Sequence, residues 1–269
     1  MGRSAGEAPV NAIGVFDSGV GGLSVLREIR AAMPAEDLIY LADSGWAPYG
    51  DKDEHYVMAR AEFAMQRFIE LEARAVVIAC NTATAVAVDV LRRRYAIPVV
   101  AIEPAVKPAV SVTKSGVIAI LATTRTLASV RLRRLIARFS HTAKIILQPC
   151  PGLAEQVEFG ALGGSRTTAL VSRYVTPLLQ QGADTLVLGC THYPFLAPVI
   201  RAIAGPDVTI LDPAPAVAKQ LSRRLQESPP CLRRAGMGTE VFLTTGCAAS
   251  VQDIVQRLWR GSAQVMPLK

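Results

Sequence analysis

Short apolar runs alternate along the chain with longer stretches in which apolar residues recur at helical spacing. Each run spans four to six residues, is rich in β-branched side chains and ends near a small or polar residue, as buried strands do. The runs predict strands at residues 12–16, 37–42, 75–79, 98–102, 116–121, 144–148, 185–188 and 240–244, with a further strand and turn at 210–215. The stretches between them predict helices at residues 23–30, 59–72, 84–95, 127–139, 167–181, 216–225 and 251–259. Strands that alternate with helices indicate an α/β protein with mainly parallel sheets.

The order of these elements occurs twice. Three pairs of counterpart positions are separated by 104, 106 and 110 residues, namely Ile13 and Val117, Leu38 and Lys144, and Cys80 and Cys190. Offsets this close, each joining like elements, indicate an internal duplication. We therefore predict two similar α/β domains related by a pseudo-twofold axis, the first formed by residues 1–103 and 213–269 and the second by residues 104–212. Units that face each other place strand ends across one cleft, where we expect the active site.

The composition favours a cytoplasmic protein without a membrane segment or a metal. The 269 residues are 51% hydrophobic and 19% charged, which is ample for one or two packed cores. No apolar run reaches the roughly 18 residues that span a bilayer, and the first ten residues lack the apolar core of an export signal. Five cysteines without compact spacing argue against a disulfide framework and for a reducing compartment. The sequence contains no CxxC pair and no HExxH motif, so we expect no metal site.

The formal net charge is +7, and short arginine runs carry the excess. These runs are scattered and lie mostly in helical patterns, where solvated faces explain them, and no nucleic-acid-binding motif accompanies them. The charge therefore argues against nucleic acid as a partner and favours an acidic metabolite.

A glycine loop joins the first strand to the first helix, with the sequence DSGVGG at residues 17–22. A strand, a glycine loop and a helix in this order point backbone N–H groups towards an anion. The spacing is not that of a dinucleotide-binding fingerprint, and Asp17 would repel a phosphate. The loop thus indicates close backbone approach without naming a ligand.

Two predicted strands end in a cysteine that polar residues follow, in ACNTAT around Cys80 and GCTHYP around Cys190. Taken alone, a cysteine after a strand is most simply a small buried residue, and one with a histidine two positions on is a candidate nucleophile or base. Two thiols on facing strand ends form either a disulfide or an acid and a base on opposite sides of a ligand. The second arrangement inverts a stereocentre by proton transfer, and a thiol pKa of about 8.5 suits that task.

The motifs FDSGVGGLSVL, PYG, ACNTAT and GCTHYP, in this order and at this spacing, resemble those of the glutamate racemases within the aspartate/glutamate racemase group. The resemblance runs from about Ile13 through the tail. It implies interconversion of L- and D-glutamate by two opposed cysteines, without pyridoxal phosphate, metal or any other cofactor, supplying D-glutamate for peptidoglycan. A homodimer is compatible with the resemblance, but the sequence does not show one.

The resemblance also implies the roles of individual residues. Cys80 and Cys190 are the expected catalytic pair, with Asp17 assisting Cys80 and His192 assisting Cys190. A family glutamate corresponds to Glu158, although Glu155 lies close enough to leave the choice open. The expected substrate contacts are Asp17, Ser18, Tyr49, Gly50, Asn81, Thr82, Thr126, Thr191 and His192, with Thr123 beside Thr126 in a threonine-bearing loop. Amide, hydroxyl and backbone donors suit substrate carboxylates, and the acidic residues suit an ammonium group.

Other residues have simpler interpretations. Trp46 stands in a loop that departs from the family pattern, and it is either a tolerated surface residue or a side chain that shapes the cleft mouth or a subunit contact. We expect Cys150 and Cys247 in the core, Cys231 in a loop, and His55 and His141 at the surface.

Other functions stay compatible with the sequence. An aspartate or related acidic amino-acid racemase would carry the same motifs. A non-catalytic binder of an acidic amino acid is disfavoured by the two thiols, and a nucleic-acid-binding protein by the scattered charge.

Overall fold

The computed structural model describes residues 9–227 and 236–268, which form two parallel β-sheets with helices packed on them. In chain order, the strands are β1 (Ile13–Asp17), β2 (Leu38–Ala42), β3 (Ala75–Ile78), β4 (Val99–Ala101), β5 (Val117–Ala122), β6 (Lys144–Pro149), β7 (Thr185–Leu188), β8 (Thr209–Leu211), β9 (Glu240–Thr244) and β10 (Val265–Pro267). The helices are α1 (Leu23–Ala32), α2 (Glu54–Glu70), α3 (Asn81–Arg94), α4 (Val106–Val112), α5 (Thr124–Ala128), α6 (Val130–Ala137), α7 (Leu153–Glu158), α8 (Ser165–Gln180), α9 (Ala197–Ala204), α10 (Ala214–Gln226) and α11 (Ala248–Trp259). A short 3-10 helix at Tyr193–Leu196 precedes α9.

The two sheets share one strand order, which confirms the predicted duplication. The first sheet runs β10-β9-β2-β1-β3-β4 and the second β6-β5-β7-β8, so that β1 to β4 correspond to β5 to β8. All strand pairs of the described residues are parallel. Parallel strands put all their carboxyl ends at one edge of a sheet, which gathers the polar residues that follow them.

The tail returns to the first sheet. Strand β9 pairs with β2, where Leu38 lies opposite Glu240, and β10 extends the sheet beyond β9. Helix α10 packs against α1 on the same side of the molecule. The domain limits at residues 103/104 and 212/213 stay a prediction.

The apolar runs of the sequence form the buried strands of the interior. Strands β1, β2 and β3 are buried along their whole length, as the apolar runs predict for strands covered on both faces. Helix α1 buries Leu23, Leu26 and Ile29 on one stripe, which is the face that an amphipathic helix turns to a core. None of the helices in the described ranges is both long and apolar enough to cross a membrane.

Several helices differ from the prediction in their limits or were not predicted, and helix capping and proline account for these differences. Helix α2 begins at Glu54, before the predicted residue 59, because the Asp53 side chain accepts a hydrogen bond from the Tyr56 N–H at 2.7 Å. The predicted helix 127–139 is two helices, since Ser129 adopts an extended conformation and caps α6. Helices α4 and α9 escaped prediction because Pro108 and Pro198 suggest loops, whereas the first turn of a helix tolerates proline.

Strand assignments also changed at two places. The predicted strand at 210–215 is the shorter β8, followed directly by α10, and β10 was not predicted. Most of the predicted polar loop at 228–238 lies outside the described residues.

Candidate active site

A cavity of about 240 Å³ lies between the carboxyl ends of the two sheets. Loops after β1, β2 and β3 line it from the first sheet, and loops after β5, β6 and β7 line it from the second. Ten of the twelve predicted site residues line this cavity, namely Ser18, Tyr49, Gly50, Cys80, Asn81, Thr82, Glu158, Cys190, Thr191 and His192. The other two, Asp17 and Thr126, are buried behind its wall. The predicted residues therefore lie together at the cavity between the two sheets.

Cys80 lies between β3 and α3 and serves as the N-cap of that helix. Its sulfur accepts a hydrogen bond from the Ala83 N–H at 3.5 Å, and its thiol donates to Ser18 Oγ at 3.5 Å. Burial, with a further contribution from the charge of Asp17, raises the pKa of Cys80 to about 12. In the free protein at neutral pH, Cys80 is therefore a thiol, ready to give a proton.

Cys190 follows β7 and is paired with a buried histidine. Its sulfur lies 3.6 Å from Nδ1 of His192, and Nε2 of the same ring lies 2.6 Å from Glu158 Oε1. Burial alone would lower the pKa of His192, but the hydrogen bonds to Cys190 and Glu158 outweigh it and raise that pKa well above its usual value. An imidazolium donates at both ring nitrogens, here one towards the Cys190 sulfur and the other towards Glu158.

Asp17 ties the glycine loop to the cysteine loop of the other sheet. One carboxylate oxygen accepts the N–H groups of Gly19 and Gly22, at 3.2 and 3.0 Å, and the other accepts the Thr191 hydroxyl at 3.2 Å. Burial raises the pKa of this carboxyl, which is fully enclosed. The charge of Asp17, from behind the cavity wall, contributes to the raised pKa of Cys80.

Two more hydrogen bonds join the β1–α1 region to segments that follow β6 and β7. Ser24 Oγ donates to the Thr191 carbonyl at 2.9 Å, and the Val20 N–H donates to Glu158 at 2.9 Å. The N–H groups of the glycine loop thus serve carboxylates of the protein itself. This answers the question that the sequence left open about which anion the loop approaches.

Asn81 offers the clearest place for a ligand. Its side chain lines the cavity and is 4% exposed, yet neither atom of its amide has a hydrogen-bond partner among the described residues. A buried polar group without a partner costs about 1–3 kcal/mol, so a ligand that bonds this amide gains affinity. An amide binds either a carboxylate or an ammonium group.

A cluster of threonine hydroxyls lies beside Asn81. Thr82 Oγ1 is 3.0 Å from Thr123 Oγ1 and 3.3 Å from Thr126 Oγ1. Thr123 and its neighbour Thr124 line the cavity, whereas Thr126 is 1% exposed and supports them from behind. A direct substrate contact by Thr126 stays a prediction.

Tyr49 and Gly50 form the part of the cavity wall that comes from the loop after β2, and Gly50 lies next to Thr123. The Tyr49 hydroxyl donates to Asp43, and the Gly50 carbonyl accepts the N–H of Arg125 from the second sheet at 3.1 Å. This wall is therefore attached to both halves of the molecule.

The chain matches known proteins over most of its length. The model of the family described as Asp/Glu/Hydantoin racemase matches residues 13–221, a span that contains every predicted site residue. The chain belongs to this racemase family.

Relatives and solved structures agree with the family. A glutamate racemase from Methylococcus capsulatus is 50% identical over 256 residues, covering 95% of this chain and 94% of its own. The structure of a glutamate racemase from Bacillus anthracis superimposes with a TM-score of 0.88 at 33% identity, covering 96% and 97% of the two chains. That of the Escherichia coli glutamate racemase, in complex with L-glutamate and the activator UDP-MurNAc-Ala, gives a TM-score of 0.85 at 30% identity over 96% and 98%. The resemblance stated from the motifs is confirmed.

The two glutamates left open by the sequence differ in their contacts. Glu158 bonds His192, while Glu155 lies one turn earlier on α7 and also lines the cavity. Only Glu158 thus reaches the histidine beside Cys190, which favours it as the family glutamate.

The sequence missed several residues of the cavity wall. Cys150, Phe159 and Tyr193 line it as well. Cys150 is 2% exposed, as expected of a core residue, but it also follows a strand, β6, so the rule that found the other two thiols applies to it. Phe159 is 81% exposed at the end of α7, a position that no sequence periodicity marks.

Among the remaining cysteines, the core assignment of Cys247 is wrong. It lies exposed at the N-terminus of α11, and the Ser250 hydroxyl and nearby backbone N–H groups lower its pKa. Cys231 lies outside the described residues. His55 and His141 are exposed, as predicted.

Within residues 9–227 and 236–268, no three side chains of His, Cys, Asp or Glu come together as ligands.

Proposed function

We propose that this racemase-family protein interconverts L- and D-glutamate by proton transfer at Cα between Cys80 and Cys190, without a cofactor. The observation that carries the proposal is the placement of two buried thiols on equivalent strand ends of a duplicated fold, both lining one cavity. The named relatives are glutamate racemases, and the E. coli structure contains L-glutamate.

The two thiols have unlike neighbours, and a two-base reaction needs one thiolate and one thiol at a time. Cys190 beside the His192 imidazolium can carry negative charge and take the Cα proton, while Cys80 remains a thiol and returns a proton to the other face. The C–H bond breaks to form an S–H bond at one sulfur, and the S–H bond at the other breaks to form the new C–H bond. The reverse direction exchanges the two roles.

Stabilising the carbanion is the demanding part, because the Cα proton of an amino acid is far less acidic than a thiol. The open amide of Asn81 and the hydroxyls of Thr82 and Thr123 are placed to bind a carboxylate and spread its developing charge. Their burial strengthens such hydrogen bonds.

We expect Cys80→Ser and Cys190→Ser each to reduce racemisation by about 10³-fold, since a serine hydroxyl is a much weaker acid than a thiol. Circular dichroism of the amino acid together with solvent-deuterium uptake at Cα, starting from L-glutamate and separately from D-glutamate, measures the loss in each direction, because a single thiol can exchange the proton without inversion. Cys247→Ser, an exposed thiol outside the cavity, is the matched control and should keep full activity. Full activity of either cavity variant would refute the mechanism.

L-Aspartate in the same assay tests substrate choice. If aspartate takes up as much deuterium as glutamate, the proposed substrate becomes acidic amino acids in general rather than glutamate.

Three further expectations belong to this proposal. A supply of D-glutamate for peptidoglycan follows from the reaction and the family. The cytoplasm is the fitting compartment, because both thiols must stay reduced. A homodimer also stays a prediction, which sedimentation of the purified protein tests.

A further inference from the structure

A buried charged cluster lies behind the Tyr49–Gly50 wall. Asp43, at the end of β2, is 1% exposed and accepts hydrogen bonds on both carboxylate oxygens. Arg60 of α2 donates to it through Nε at 2.8 Å and through Nη2 at 2.7 Å, and Thr245 donates through its hydroxyl at 2.7 Å. The Tyr49 hydroxyl donates to the same carboxylate.

The Arg60 guanidinium contacts aromatic rings on its faces, in addition to the Asp43 carboxylate at its edge. The Trp46 ring lies with its centroid 4.5 Å from the Arg60 guanidinium carbon, and the Phe63 ring lies at 4.3 Å. Stacking on aromatic rings and two-pronged bonding to a carboxylate both exploit the planar guanidinium, so lysine would reproduce only the charge. Tyr56 donates to the Trp46 carbonyl at 2.9 Å and thereby ties the Trp46 loop to α2.

The orientation of Tyr49 depends on this cluster. Its ring is 1% exposed and lines the cavity, and its hydroxyl points away from the cavity to Asp43. Burial, followed by the charge of Asp43, raises the Tyr49 pKa, so the hydroxyl stays protonated and acts as a donor. If the carboxylate turns, this donor must turn with it.

We infer that Arg60 is a positioning residue for the active site, which orients Asp43 and through it the Tyr49–Gly50 wall, while Trp46 covers the guanidinium. This inference rests on the proposed function for its kinetic readout. Trp46 does not line the cavity, and on this inference it stabilises the Arg60 guanidinium behind the Tyr49–Gly50 wall.

The variants Arg60→Met and Arg60→Lys test the inference by kinetics with glutamate. Arg60→Met keeps an unbranched side chain in place of the arginine stem but frees the carboxylate. We therefore expect KM to rise about tenfold with kcat within about threefold, since the wall binds substrate and does not transfer protons. Arg60→Lys restores the charge and should recover part of the loss. Arg67→Met is the matched control on the same helix, because Arg67 faces Phe63 at 5.3 Å and pairs with Glu70 rather than Asp43. A KM equal to that of wild type in Arg60→Met would overturn the inference.

A second variant tests the inference in case Arg60→Met does not fold. Arg60→Met leaves a buried carboxylate without its cation, whereas Arg60→Met combined with Asp43→Asn removes both charges. The double variant should fold and still show the raised KM, and a wild-type KM there would overturn the inference.

A fluorescence readout separates this inference from the proposed function. The chain has two tryptophans, so Trp259→Phe leaves Trp46 as the sole indole reporter. Acrylamide quenching of Trp46 should increase with Arg60→Met, change less with Arg60→Lys and stay at the starting level with Arg67→Met. Equal quenching in all variants would overturn the inference even in a protein that did not racemise glutamate.

Discussion

His192 shares its two ring nitrogens between Cys190 and Glu158, and this single side chain makes the two thiols different. Cys80 has hydroxyl and backbone partners instead, with the Asp17 charge close by. A pair of identical residues thus acquires a donor side and an acceptor side through its neighbours.

The Glu158→Gln variant tests the histidine through stability against pH. The His192 pKa is raised in the folded protein, so its stabilising contribution is fully present below the unfolded value of about 6.5 and fades as pH rises through the folded value. We expect Glu158→Gln to lower the free energy of unfolding by about 1–2 kcal/mol at pH 6, with a difference from wild type that shrinks at alkaline pH.

Denaturant titrations of both proteins at a series of pH values measure this difference. Glu155→Gln, one turn away on the same helix, is the control and should change stability little at any pH. A destabilisation by Glu158→Gln that did not vary with pH would contradict a protonated His192.

At the scale of elements, the β1–α1 loop contacts both His192 and Glu158. A Cβ on Gly21 would lie 2.4 Å from His192 Nδ1, so the backbone must approach the imidazole without a side chain between them. The same loop bonds Glu158 through the Val20 N–H. The histidine and its glutamate are therefore placed by an element of the other sheet.

Gly21→Ala should displace the imidazole and reduce kcat for glutamate by about 10- to 100-fold, since a shift near 1 Å at a reacting group costs about that much. Steady-state kinetics with circular dichroism as a fold check measure the effect. Gly163→Ala is the matched control, because a Cβ there meets nothing within 4 Å. Equal kcat in the two variants would show that the loop tolerates the extra methyl group.

At the scale of the whole molecule, the two sheets share one interior. A single connected cluster of buried apolar side chains includes Ile13 of β1, Ala119 of β5, Leu178 of α8 and Leu258 of α11. Because both halves bury apolar surface in this cluster, separating them would expose it to water.

We expect thermal unfolding to be one cooperative transition in which both sheets open together. Hydrogen exchange of β1 and β5 amides during denaturant titration reports the two sheets separately and should give the same opening free energy. Two well-separated transitions would show that the sheets fold independently.

Sequence periodicity predicted the architecture and strand-end chemistry pointed to Cys80 and Cys190, while the family resemblance supplied the list that contains the ten cavity residues. Parallel strands bury apolar runs and gather the polar residues after them at one edge, so the motifs around Cys80 and Cys190 pointed to the cleft from sequence alone. The same logic misassigned Cys247, since a cysteine after a strand also serves as an exposed helix cap.

Tertiary structure alone decided which partners these residues meet. Glu158 and Glu155 are alike in sequence, and only the packing of α7 against the glycine loop puts Glu158 on His192. Arg60 lies 17 residues from Asp43 and carries no motif, yet folding of α2 over the β2 loop makes it the support of the Tyr49 wall. Local pattern specifies elements because periodicity is a property of neighbours in the chain, whereas hydrogen bonds across the cleft join residues that only the packed fold brings together.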